Sequence, residues 1–222
     1  MKLIIIDETA IPDSDLITAK LSVDDYLPRL APWGFDKVEV STTHFKGNAS
    51  KSKDFDVYDV KVYITYREAK IGIAGYHSSE NGKPVAYVKP GTPRNRFGYY
   101  HPARVWRGKQ VWAESMKLGM VGVLVHEVAE ILSNPLRKSY SAPDSQGRKW
   151  YREIADWVHG NEYMKVINGK NVVFPDCALP NFNVIGATTD LSINGNLTKS
   201  FTLTPKGYGY WFDPKVNHLV KL

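Results

Sequence analysis

Between Met120 and Leu132 the chain is apolar except at His126, Glu127 and Glu130, and this interrupted run limits what the chain can fold into. Met116, Met120, Val123, Leu124 and Val128 recur at helical spacing, with Ala113 at the head of the stripe. Asn134-Pro135 supplies a stop. The spacing therefore predicts one long helix over 110–133, on which Gly119 and Gly122 leave room for a close neighbour. Ionisable side chains in such a run are costly to bury unless they are paired or hold a cation.

Val125-His126-Glu127-Val128-Ala129-Glu130 is an H-E-x-x-E stretch. Residues four apart stand one turn apart on the same helix face, so His126 and Glu130 can present two ligands to one ion. Glu127 then lies beside that ion as a general base, as in H-E-x-x-H helices. A carboxylate in place of the second histidine is an acceptable zinc ligand and a harder donor, which keeps calcium and manganese in view beside zinc. Glu153-Ile154-Ala155-Asp156 offers two further carboxylates, expected on a short second helix from Tyr151 to Val158. One would complete the ligand set and the other would accept the free N–H of His126 and fix its tautomer. Glu153 is the favoured ligand and Asp156 the favoured support.

The segment Val121 to Pro135, followed by Glu153-Ile154-Ala155-Asp156, resembles the phosphate-induced, EXORDIUM-like proteins of plants. It is also similar to bacterial and tailed-phage proteins that carry the same two motifs in the same order. Gly75-Tyr76-His77-Ser78-Ser79 resembles an upstream segment of that family, and the likeness spans roughly residues 70–185. It implies a zincin-like metal site more than any particular reaction. Trp157 stands where many relatives carry a cysteine, so the disulfide of the secreted members is not expected here.

The remainder reads as β-rich. Residues 3–6 look like a short strand leading into a polar, turn-rich segment, and Val38, Val40 and Thr42 alternate as a strand does. Residues 45–53 read as an exposed loop. Residues 56–75 form the clearest β section, with Ile71 and Ile73 beyond a charged turn, and Asn81-Gly82 connects two further strands. Residues 89–109 read as a long surface loop. Beyond residue 160, strand-like runs at Tyr163–Ile167, Val172–Phe174 and Phe201–Leu203 are separated by turn signals such as Asn168-Gly169. The expected fold is α+β: a zincin-like core over residues 1–160, with its long helix and short second helix against a mostly antiparallel sheet. A β-rich extension, residues 161–222, packs on the same domain.

A single cysteine, Cys177, excludes an internal disulfide framework and is expected to be a small buried apolar residue. The start of the chain lacks the apolar length of a signal peptide, and no run approaches a membrane span, so cytoplasmic synthesis is expected. The net charge of +6 names no partner. Arg94, Arg96, Arg104, Arg107 and Lys109, interleaved with Phe97, Tyr99, Tyr100 and Trp106, could bind single-stranded nucleic acid, but packing of that stretch is the plainer reading. His77, after a strand, is either a structural histidine or an extra site contact. The function expected is that of a metal-dependent hydrolase, a zincin-like peptidase that uses a metal-activated water on a peptide or protein substrate. The competing reading is a structural or interaction protein, such as a phage virion component bound to other virion proteins, in which the metal ties two helices together.

Overall fold

A computed structural model describes residues 1–35, 37–67, 73–101, 104–106, 109–112, 115–213 and 218–221. In chain order these form β1 (Lys2–Asp7), α1 (Asp13–Tyr26), β2 (Glu39–His44), β3 (Val60–Ile64), β4 (Gly75–Glu80) and β5 (Lys83–Val88). Four short strands follow, β6 (Tyr99–His101), β7 (Arg104–Trp106), β8 (Lys109–Trp112) and β9 (Ser115–Lys117), and then α2 (Met120–Ser133). The rest comprises β10 (Tyr140–Pro143), β11 (Lys149–Tyr151), β12 (Tyr163–Ile167), β13 (Lys170–Phe174), β14 (Tyr210–Asp213) and β15 (His218–Lys221). The architecture is mixed α+β.

The central sheet has the order β2-β1-β3-β5-β4. Its β1/β2, β1/β3 and β3/β5 pairings are parallel, and only the edge pairing β4/β5 is antiparallel. The sheet under the helices is thus mostly parallel, against expectation. The continuous apolar run Leu3–Ile6 carries the signal, since a strand covered on both faces cannot alternate. Leu3 and Ile5 face the main core with α1 and α2, whereas Ile4 and Ile6 pack with Phe55, Tyr63 and Tyr87 on the other face. Each of these aliphatic side chains contributes about 1.5–3 kcal/mol by full burial.

The segment after β1 is a helix and not a turn-rich stretch. Leu16, Ala19, Val23 and Tyr26 bury one face of α1, while Thr18 and Ser22 turn their hydroxyls back to the carbonyls of Ser14 and Thr18. The long helix begins at Met120 and not near residue 110. Gly119 precedes it in an extended conformation, and residues 109–112 and 115–117 are strand. A Cβ at Gly119 would lie 2.1 Å from Asn95 O, and one at Gly122 would lie 2.2 Å from Val173 O. The close approach expected at these glycines is therefore present.

Other boundaries also shift. The 56–75 section reduces to β3 and the start of β4, and residues 45–53 contain one 3-10 turn, Ala49–Lys51, in which Ala49 is buried, and the start of another, Lys53–Phe55. Residues 89–109 are not simply a surface loop, since Arg96 is buried in an ion pair with Asp15 and Phe97 packs on the core. Phe201–Leu203 forms no strand. Ile71, Ala113 and Arg107 lie outside the described residues. Asn81-Gly82 and Asn168-Gly169 turn the β4–β5 and β12–β13 hairpins with positive φ at both residues, the geometry of a type I′ turn. Strands β12 and β13 lie beside α1 and α2, and β14 pairs with β11, so the residues after 160 share the main core. Cys177 is buried and free. Among the described residues, no helix is long and apolar enough to cross a membrane.

Candidate metal centre

Three elements converge below the antiparallel edge of the sheet. Strand β4 alternates, so Tyr76 joins the far cluster while Gly75 and His77 face α2. Gly75 permits this approach: a Cβ there would meet Val123 Cγ1 at 2.6 Å and Glu127 Oε1 at 3.0 Å. Helix α2 presents His126, Glu127 and Glu130 to the strand. The third element is the segment after β11.

That segment differs from the expected second helix. Lys149 and Trp150 pair with β14, and only Asp156–Val158 forms a single 3-10 turn. Strand β11 takes Tyr151, the first residue of the expected helix. Ile154 and Trp157 turn inward, Trp157 stacking on Phe182 with ring centroids 4.5 Å apart. Glu153 and Asp156 are thereby left facing α2, which keeps the expected convergence by a different local structure.

The six ionisable groups singled out from the sequence meet here. His126 Nε2 stands 3.2 Å from Glu130 Oε1 and 3.2 Å from Asp156 Oδ1. On the other side, His77 Nδ1 lies 3.5 Å from Glu127 Oε2 and 3.6 Å from Glu130 Oε2, and His77 Nε2 lies 3.6 Å from Glu153 Oε2. All are buried except His126, which is nearly so. Among the described residues, His77 Nε2, Glu127 Oε2, Glu130 Oε1 and Asp156 Oδ1 have no hydrogen-bond partner. The ionic separations are thus short without being hydrogen bonds, and buried polar atoms left in that state are costly.

Electrostatics follow from that crowding. Burial raises the Glu127 carboxyl to about 7, with His126 opposing and Asp156 adding to the rise. Burial and the neighbouring carboxylates push Glu130 and Glu153 upward together. Burial lowers His77, outweighing its acidic neighbours. For His126 burial acts in the same direction, but Glu130 and Asp156 overcome it and hold the imidazolium well above its usual range.

Two groups of three can each bring one donor atom per residue within 4.8 Å of one another: His126, Glu130 and Asp156, and His77, Glu130 and Glu153. The surrounding cleft has two parts. An outer part of about 570 Å³ is lined by His126, Glu127, Lys117, Lys206 and Tyr208, and an inner part of about 330 Å³ by His77, Glu130, Arg137, Glu153 and Asp156. His126, Glu127 and Tyr208 line both.

Two contributors were not read from the sequence. Asn134, fully buried at the end of α2, donates its side-chain N–H to Glu153 Oε1 at 3.5 Å and accepts from Ser139 N. The Asn-Pro stop was visible, but its second use was not. Tyr208 donates its backbone N–H to Asp156 O, and burial with the Asp156 charge keeps its phenol protonated far above neutral pH. Only the aromatic-glycine run Gly207-Tyr208-Gly209-Tyr210 could have drawn attention to it. From the basic-aromatic stretch, Arg96 is committed to Asp15, and the side chains of residues 100–115 lie outside the description.

Comparison of the chain with protein-family models, with curated proteins and with solved structures found no match.

Proposed function

We propose that this chain is a metal-dependent hydrolase of zincin-like type, acting on a peptide or amide bond, with His126, Glu130 and Asp156 as the residues that hold the metal. The observation that carries this reading is the pair of 3.2 Å separations from His126 Nε2 to two carboxylate oxygens that lack hydrogen-bond partners among the described residues. Tetrahedral zinc with bonds of about 2.0–2.1 Å holds its ligand atoms about 3.3–3.4 Å apart, so the spacing suits a shared ion. One imidazole and two carboxylates suit zinc, and also manganese. This geometry favours Asp156 over Glu153 beside His126.

A dication held there would polarise a substrate carbonyl and acidify a water. The chain's own contribution is Glu127, whose carboxyl lines both parts of the cleft and whose burial raises it to about 7, suited to taking a proton at neutral pH. Tyr208 lines the same cleft, and its side-chain hydrogen bond to Asp156 would help to orient that carboxylate. The zincin-like core and the EXORDIUM-like resemblance belong to the same proposal, supported by the seating of the H-E-x-x-E helix under a histidine-bearing edge strand.

The test is metal analysis of protein purified without chelator, followed by a peptidase screen with Glu127→Gln. The expected result is zinc that survives this substitution and turnover that falls at least about 100-fold, the scale of general-base catalysis. Undiminished turnover in Glu127→Gln would overturn the assignment. A second reading, a structural or virion-associated protein in which the ion ties α2 to the Asp156 turn, draws on the burial of Glu130 and Asp156. It requires that Glu127→Gln change nothing while Glu130→Ala lowers the melting temperature.

A further inference from the structure

The two oxygens of Glu130 face different partners. Oε1 is the atom near His126 Nε2, and Oε2 lies 3.6 Å from Nδ1 of His77, whose other nitrogen, Nε2, is the one near Glu153. One donor atom from each of His77, Glu130 and Glu153 still falls within 4.8 Å of the others. The two triads therefore share Glu130 and no other residue. We infer that the centre holds two divalent cations bridged by the Glu130 carboxylate, one with His126 and Asp156 and the other with His77 and Glu153. The inference rests on the metal reading above and extends it to the inner end of the cleft.

Three observations carry it. First, His77 is only 4% exposed, and its Nε2 has no hydrogen-bond partner among the described residues although it points to Glu153 Oε2 at 3.6 Å. That gap is too long for a hydrogen bond and close to the spacing of two ligands on one ion. Second, Asn134 approaches the opposite oxygen of Glu153, Oε1, which leaves Oε2 turned towards His77. A residue held in that way is oriented for a ligand.

Third, the number of carboxyl groups accords with it. Glu127, Glu130, Glu153 and Asp156 are four buried carboxyl groups in one centre. A single dication balances two of them and leaves the others uncompensated in a low-dielectric site, where unpaired charge is expensive. A second dication balances the remaining two. A carboxylate that bridges through both oxygens also suits the separation of about 3.5–4 Å found in two-metal sites.

Metal-free full-length protein titrated with zinc, read by calorimetry and by elemental analysis after desalting, tests the stoichiometry directly. The expected result is two equivalents in the unsubstituted chain, one in His77→Gln and in Glu153→Gln, and one in His126→Gln. Manganese gives an independent readout: a spin-coupled resonance spectrum at two equivalents that becomes the six-line pattern of isolated ions in Glu153→Gln. One equivalent in the unsubstituted protein, lost in His126→Gln but retained in His77→Gln, would overturn the second ion and leave the first. Two equivalents that persist in both His77→Gln and Glu153→Gln would overturn it as well, since the extra ion would then lie elsewhere. No binding at all would remove the metal reading together with its extension. One equivalent in the unsubstituted protein refutes the second ion without any variant, so a variant that fails to fold does not shield the inference.

Discussion

Substituting Gly75 by alanine tests whether the edge strand sits on α2 as closely as the proposed metal centre requires. The new Cβ would lie 2.6 Å from Val123 Cγ1 and 3.0 Å from Glu127 Oε1. Carbon atoms in contact prefer about 3.5–4.0 Å, so strand or helix must yield by about 1 Å. Overpacking of this kind costs roughly 1–3 kcal/mol. In a chain of 222 residues that corresponds to a fall in Tm of roughly 2–12 °C. The assay is urea unfolding in the presence of chelator, so that metal binding does not add to the apparent stability. Val123→Ala removes the nearer obstacle, and the double variant should recover about 1 kcal/mol relative to the sum of the single changes. A Gly75→Ala protein as stable as the parent, or strict additivity with Val123→Ala, would refute the packing on which the position of His77 depends.

Asp15→Asn should lower stability by about 3 kcal/mol, because it strips the charge partner from the buried Arg96. Lys170→Met should cost less, since that lysine is partly exposed, and chemical denaturation of the two variants gives the comparison. The acid limb of stability should depend on Asp15 and Asp144. Burial alone would raise both carboxyls, but Lys170 and Arg96 outweigh it at Asp15, and Trp150, Arg148 and backbone N–H groups outweigh it at Asp144. Folded values below the unfolded ones mean stability that is complete above the ordinary carboxylate range and is lost as pH falls through the folded values. Tm should therefore drop on going below about pH 4, and Asp144→Asn should flatten that drop; an unchanged acid limb in the variant would contradict the assignment.

The legible parts of this molecule were those in which neighbours along the chain cooperate. Leu3–Ile6 announced a strand, the two Asn-Gly pairs announced hairpins, and the glycines of α2 announced close packing, because each feature acts over a few residues. Helix α1 was hidden because Thr18 and Ser22 occupy its buried face and satisfy their hydroxyls on the preceding turn, which breaks the apolar stripe. Parallel strand order is set by crossovers and long-range pairing, so periodicity could give strands but not their neighbours. The pairing of Asp15 with Arg96, 81 residues away, turned an apparent basic surface residue into part of the interior. At the site, the helical spacing brought out His126, Glu127 and Glu130. Around Glu153 and Asp156 the expected helix reduces to a single 3-10 turn, because long-range pairing holds the chain as a strand up to Tyr151 and leaves only seven residues before His159, where the turn ends.

The division of the cleft bears on what such a centre can do. Glu130, Glu153 and His77 line only its inner part, whereas His126 and Glu127 also border the larger outer part. Arg137, the guanidinium lining the inner part, is itself largely exposed and cannot balance four carboxyl groups. In the proposed two-ion reading, the His77 half would fix Glu130 and set the charge of the centre, and the His126 half, with Glu127 beside it, would do the chemistry. On this arrangement, loss of His77 should perturb stability and metal stoichiometry more than turnover, and loss of Glu127 should lower turnover while sparing both.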